Sequence, residues 1–199
     1  MALENIIFDF GGVLIDWNPY YLYDKVFADH AQAEWFISQV CPVDWNVRCD
    51  AGRPWPEALA ERIALYPEYE QEIRWYRSRW IEMVGAEIPG MYDYIKELKG
   101  RGLHLYGLTN WALDTFAEIQ EGFRALKLLE GYVISGAEGI VKPDPRIYRT
   151  LLQRYGLKAS ECVFIDDNPA NVAAARELGW QGIRFTGCPQ LRQDLEALL

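Results

Sequence analysis

Five short apolar runs, each breaking off at polar or glycine-containing positions, constrain the fold of this chain more than any other feature. Ile6-Ile7-Phe8 ends at Asp9 and Gly11-Gly12, and Leu103 to Leu108 ends at Thr109-Asn110. Tyr132-Val133-Ile134, Cys162-Val163-Phe164-Ile165 and Gly182-Ile183-Arg184-Phe185 repeat the pattern. Apolar runs of this length bounded by turn residues predict buried strands. Helical segments lie between them. Met91, Tyr94, Ile95 and Leu98 fall on one helical face that stops at Gly100 and Gly102. Asp144-Pro145 has the form of an N-cap followed by proline in the first turn, with Gly156 ending that helix. Asn168-Pro169 repeats the device, and Gly179 closes it. Strands alternating with helices predict a doubly wound α/β fold around a parallel sheet covered on both faces.

Residues 17–88 interrupt this rhythm. They hold Trp17, Trp35, Trp45, Trp55, Trp75 and Trp80, six of the chain's eight tryptophans, and read mostly as amphipathic helices, Glu57 to Ile63 and Glu68 to Trp80 among them. The predicted organisation is an α/β core of residues 1–16 and 89–199, with an all-helical cap inserted over 17–88. At 199 residues and 50% apolar content, such a chain buries a full core without disulfides or structural metals. Cys41, Cys49, Cys162 and Cys188 lack the close spacing of a zinc or redox motif and are expected to be free thiols. With neither a basic apolar leader nor a membrane-length apolar run, the expected location is cytoplasmic. The net charge of −9 argues against nucleic acid as a partner, since phosphate backbones are bound by clustered Lys and Arg. A membrane partner is not expected either, and the chain is expected as a monomer or homodimer.

Ligands of open parallel sheets bind outside the carboxyl ends of the strands. The residues there are Asp9, Thr109-Asn110, Asp166-Asp167 and, in the loop after the third strand, Lys142. Adjacent strands lie less than about 5 Å apart, so these groups share one crevice. Two unit charges about 4 Å apart repel by on the order of 4 kcal/mol at an effective dielectric near 20. A cation relieves that repulsion, and an all-oxygen ligand set suits Mg²⁺. Lys142 adds positive charge, while the Thr109 hydroxyl and Asn110 amide are donors for an anion. His30 and His104 are scattered, and His104 begins its strand at the end away from the crevice, so neither is given a catalytic role.

At these residues the sequence resembles the haloacid dehalogenase (HAD) superfamily, essentially from end to end. Phe8-Asp9-Phe10-Gly11-Gly12-Val13-Leu14 is similar to its first motif, Leu108-Thr109-Asn110 to the second, Lys142-Pro143 to the third and Phe164-Ile165-Asp166-Asp167-Asn168 to the fourth. An insertion after the first motif resembles the family's cap-one subgroup. The resemblance implies a flavodoxin-like, Rossmann-like sheet and Mg-dependent hydrolysis of a small phosphate monoester through an aspartyl-phosphate on Asp9. It implies catalytic roles for Asp9 and Lys142, and phosphate binding by Thr109, Asn110 and Lys142. It places the metal on Asp9, the Gly11 carbonyl and Asp167, with Asp166 behind them or bound through water.

One position departs from the pattern. Phosphatases of the family carry a second aspartate, the general acid, where this chain has Gly11. Loss of a general acid costs about 10² to 10⁴ in rate. Three readings follow: a phosphatase with an easy leaving group, a sugar 1-phosphate among the candidates; a 2-haloacid dehalogenase, which needs neither that acid nor a metal; or a binding protein that kept the fold. A sugar-1-phosphatase branch with the same Asp-x-Gly start is similar to the whole chain. In the cap, Asp16, Trp17, Trp45, Arg48, Asp50 and Arg53 cluster, and the tight Asp50-Ala51-Gly52-Arg53-Pro54 loop is expected to reach the site. There Arg53 is the expected substrate contact and the rings are candidates for stacking on a sugar, the alternative for the tryptophans being the cap's own core.

Overall fold

A computed structural model describes residues 3–199. Strand β1 (Asn5–Phe8) leads through a turn to β2 (Ile15–Trp17). Helices α1 (Tyr20–Val26), α2 (His30–Trp35), α3 (Val43–Asp50), α4 (Trp55–Leu65) and α5 (Glu70–Ser78) follow before β3 (Val84–Glu87). The chain then alternates: α6 (Met91–Gly100), β4 (His104–Thr109), α7 (Leu113–Ile119), β5 (Gly131–Ile134), α8 (Ser135–Glu138), α9 (Pro145–Tyr155), β6 (Cys162–Asp166), α10 (Pro169–Glu177), β7 (Gln181–Arg184) and α11 (Cys188–Glu196).

The five expected strands form one sheet in the order β5-β4-β1-β6-β7, every pairing parallel. Side chains alternate between its faces. Ile6, Phe8, Leu105, Val163 and Ile165 enter one apolar cluster, while Ile7, Tyr106, Leu108 and Phe164 enter the other. This is the period of two expected of strands buried on both sides. The first cluster continues without a break into the helical insert, reaching Tyr23, Phe36, Trp45, Trp55 and Tyr76. Trp45 meets Tyr76 edge-on at 4.9 Å between ring centroids and Trp55 at 5.9 Å. These two tryptophans are therefore packing residues of the insert rather than a platform for a ligand.

The predicted caps form as read. Asp144 accepts from the Arg146 amide at 2.9 Å and Asn168 from the Ala170 amide at 2.9 Å. Gly156 takes the left-handed conformation at the end of α9. One feature was not expected from the sequence: β2 and β3 pair antiparallel as a two-stranded stem through which the insert leaves and rejoins the core. All four cysteines are buried free thiols. No described helix is long and apolar enough to cross a membrane.

Gly107, in the middle of β4, lets the Phe10 ring approach the sheet closely; a Cβ there would come within 2.4 Å of that ring. Phe10 in turn packs on Phe116 at 5.8 Å and Tyr132 at 5.9 Å. Gly107→Ala is expected to displace this aromatic stack and cost about 1–3 kcal/mol, the usual cost of overpacking a core, measured by urea unfolding.

Candidate active site

The loop after β1 places the first functional group. The Asp9 amide continues the sheet ladder to Ile165 (2.9 Å), and one carboxylate oxygen, Oδ1, accepts from the Phe10 amide at 2.7 Å. Gly12 then turns the chain with φ +76°, and its open α-carbon is what admits Asp167. A Cβ at Gly12 would lie 2.8 Å from Asp167 Oδ2. An L side chain here would be strained by the backbone and would strike that carboxylate.

Lys142 joins the strand ends. Its buried ammonium donates to Asp9 Oδ1 at 2.8 Å, to Asp166 Oδ2 at 2.7 Å and to the Leu108 carbonyl at 3.0 Å. A lysine has three N–H donors, and all three are spent here. Burial opposes the charge on Lys142, but Asp9 and Asp166 outweigh it and raise its pKa. Burial, with the charge of Asp166, pushes the Asp9 carboxyl up to about 8 against the pull of Lys142.

The two adjacent aspartates differ sharply. Asp166 is fully buried, and both its oxygens are saturated. Oδ1 accepts from the Asn168 amide at 2.8 Å and Asn171 Nδ2 at 3.2 Å, and Oδ2 accepts from Asn171 at 3.0 Å beside Lys142. Asp167 is exposed, and its pKa is raised by partial desolvation and by Asp166. Carboxylate oxygens of Asp9, Asp166 and Asp167 lie within 4.8 Å of one another.

The structure brings Thr109 and Asn110 to the same edge of the sheet in different states. The Thr109 hydroxyl is fully buried and has no hydrogen-bond partner among the described residues, an arrangement that costs about 1–3 kcal/mol unless a ligand supplies one. Asn110 holds the Lys142 backbone at both ends of its amide, accepting from the Lys142 N–H at 2.8 Å and donating to its carbonyl at 3.0 Å. One N–H of that amide remains for a ligand.

A cavity of about 500 Å³ lies between the strand ends and the insert. Asp9, Gly11, Asn110, Lys142 and Asp167 line it from the core, and Asn46, Val47, Asp50 and Tyr76 from the helices. Asp50 clamps the two parts together. Its carboxylate accepts from the Ala112 amide at 3.1 Å and from Asn46 at 3.0 Å, and its carbonyl accepts from the Ser135 hydroxyl. Burial raises its pKa to about 7, against the Ala112 hydrogen bond and Lys142.

Arg53 is not brought to the site. Its guanidinium pairs with Glu61 at 2.6 Å, and Arg48 pairs with the same carboxylate at 2.7 Å. Both arginines are drawn along the insert surface by the nearer counter-charge. Of the other residues expected to cluster there, Trp17 lines the cavity, while Asp16 accepts a hydrogen bond from Tyr21. Sequence reasoning missed Asn171, Ser135, Trp80 and Trp111. Asn171 had a usable signal, lying one turn into the helix that starts at the Asn168 cap; the others had none.

A family model of haloacid dehalogenase-like hydrolases matches residues 3–179. The chain belongs to that family and is a hydrolase. Among curated relatives, it is 29% identical over 197 residues to sesquiterpene phosphatase astK of Aspergillus oryzae, covering 94% of each chain. A HAD family enzyme of Bacteroides thetaiotaomicron, solved in complex with magnesium and inorganic phosphate, superposes with TM-score 0.72 at 19% identity, over 94% of this chain and 96% of that one. The L-2-haloacid dehalogenase of Xanthobacter autotrophicus, solved with chloropropionic acid covalently bound, gives 0.65 at 17% identity, over 98% and 83%. The shared HAD fold thus extends to enzymes of both chemistries.

Lys142→Met would leave Asp9 and Asp166 buried without their counter-charge. The expected cost is about 3–5 kcal/mol by urea unfolding in EDTA, the usual penalty for breaking a buried pair from one side.

Proposed function

We propose that this HAD-like hydrolase cleaves phosphate monoesters through a covalent intermediate on Asp9, with Mg²⁺ held by Asp9, the Gly11 carbonyl and Asp167. The observation that carries this reading is the charge at the strand ends: one ammonium faces three carboxylates whose oxygens lie within 4.8 Å. With all three ionised, two negative charges remain uncompensated. Burial and Asp166 therefore push Asp9 towards its protonated form, and a divalent cation would favour the ionised form by neutralising both charges. The donor set fits, being hard oxygens with Asp167 exposed and free to coordinate. Asp166, saturated by Lys142, Asn168 and Asn171, instead holds Lys142 in place. When bound, the cation would offset charge on the transferring phosphoryl group.

In this reading the Asp9 carboxylate attacks phosphorus, and the bond from phosphorus to the alcohol oxygen breaks. Lys142 orients the attacking carboxylate. The unpartnered Thr109 hydroxyl and the remaining Asn110 N–H donate to phosphoryl oxygens. Water then adds to phosphorus, releasing inorganic phosphate and freeing Asp9. The departing alkoxide takes its proton from solvent, because Gly11 offers none. Residues 17–88 act as a cap over this site, on a core of 1–16 and 89–199, held by the Asp50 clamp.

Dehalogenase chemistry fits less well. A 2-haloacid brings its own carboxylate, and among the described residues lining the cavity the sole cation is Lys142, already committed to two aspartates. The deciding assay measures phosphate release from p-nitrophenyl phosphate and halide release from 2-chloropropionate, each with Mg²⁺ or EDTA. Phosphate release that needs Mg²⁺ and disappears in Asp9→Asn is the expected result; halide release without metal, and no phosphate, would overturn the reading.

Gly11 also has room for the missing acid. A Cβ there meets only the Trp111 ring, at an ordinary 3.7 Å. Gly11→Asp is therefore expected to raise kcat on alkyl phosphates, whose leaving groups need a proton, by about 10-fold or more. Turnover of p-nitrophenyl phosphate, whose phenolate leaves unaided, should change little.

A further inference from the structure

The cavity above Asp9 is much larger than a phosphoryl group, and the chemistry of its lining is one-sided. Its volume of about 500 Å³ falls in the range of sites that enclose a whole small molecule. Trp17, Ile37, Val43, Val47, Trp80 and Trp111 line it beyond the strand ends. The indoles of Trp80 and Trp111 stand edge to face at 5.8 Å, one from the insert and one from the core. Val43 lines the cavity yet is 67% exposed, at the first position of α3. Its burial therefore contributes little to the fold, and it marks the rim.

Several polar side chains in the same lining are spent within the protein. The donors left over are few and separate: the buried Trp111 indole N–H, which has no partner among the described residues, and one Asn110 N–H. Asn46 donates to Asp50, Asp50 accepts from the Ala112 amide, and the Thr115 hydroxyl donates to the Ala112 carbonyl. Tyr20 and Tyr76 each contribute a ring carrying one hydroxyl. Lys142 is the sole cation among the described lining residues, and its donors are taken by Asp9, Asp166 and Leu108. A second phosphate or a carboxylate on the substrate would thus be desolvated without a counter-ion, and near Asp50. A polyhydroxylated sugar would lose more hydrogen bonds to water than this lining returns.

Resting on the phosphatase reading, we infer that the substrate is the phosphate monoester of an uncharged, apolar alcohol, with its hydrocarbon or aromatic portion held between Trp17, Trp80, Trp111 and the aliphatic residues of the insert. The phosphate is its one anionic group. Binding energy then comes from apolar area, at about a three- to fourfold gain in affinity per buried methylene.

The test compares kcat/KM for methyl, butyl and octyl phosphate, 1-naphthyl phosphate, glucose 1-phosphate and 3-phosphoglycerate, all with Mg²⁺. Dissociation constants of methyl- and octylphosphonate are read in parallel from tryptophan fluorescence. Octyl phosphate is expected to exceed butyl by roughly 10²-fold, four methylenes at that increment, and naphthyl phosphate to exceed both glucose 1-phosphate and 3-phosphoglycerate. Val43→Asp, an exposed change in the first turn of a helix, should lower the octyl-to-methyl ratio. A flat or falling chain-length series, or a preference for the sugar or carboxylate ester, overturns the inference. Should no ester release phosphate at all, the phosphatase reading fails by itself. The two phosphonates then decide the cavity: tighter octylphosphonate binding upholds its apolar preference, and equal binding overturns it.

Discussion

The ammonium of Lys142 is the interaction on which the site depends. It bonds a carboxylate at the end of β1, another at the end of β6 and a carbonyl of β4, so one side chain ties three neighbouring strands at the edge where a ligand must bind. A buried lysine is costly unless it is paired, and this one is paired twice. Its backbone is held in turn by Asn110, and its partner Asp166 by Asn168 and Asn171. The outcome is an Asp9 carboxylate whose orientation is set by protein groups.

A second constraint sets the cavity. Asp50, at the end of α3, bonds the Ala112 amide, and its own carbonyl takes the Ser135 hydroxyl. Trp55 bonds Asp114, and Arg77 pairs with Asp114 and Glu118. These contacts run from the insert to the segment after β4 and its helix, beside Trp111. The apolar lining of the cavity is therefore assembled from both parts of the chain, and a change in either alters what fits between them.

Much of this was legible in the chain. The strand runs at Ile6, Leu103, Tyr132, Cys162 and Gly182, and the caps at Asp144 and Asn168, are local signals that the structure follows because burial on both sheet faces demands continuous apolar runs. Asp9, Thr109 and the Asp166-Asp167 pair were legible for the same reason: a polar residue right after such a run sits at the sheet's edge. Lys142, in the loop after the third run, was legible through its lysine-proline motif. The Arg53 pairing was not legible, because loop composition says where a turn lies and not which counter-charge is nearest; here that is Glu61. The stem of β2 and β3 escaped notice since its partners are about seventy residues apart and one of them is only three residues long.

The sequence by itself determined the doubly wound α/β fold and the order of chemical groups along the sheet edge, since both follow from periodicity and from the ends of apolar runs. Only the tertiary structure separated Asp166 from Asp167, adjacent residues of identical type. Alternation at the strand end turns Asp166 inward to Lys142 and Asn171, and leaves Asp167 exposed against the bare α-carbon of Gly12. Tertiary structure also decided what lies over Asp9. Trp17, Trp80 and Trp111 are far apart in the chain and carry no mark that distinguishes them from the core tryptophans Trp45 and Trp55. They line a cavity together only because the insert folds back onto the sheet through one continuous apolar cluster.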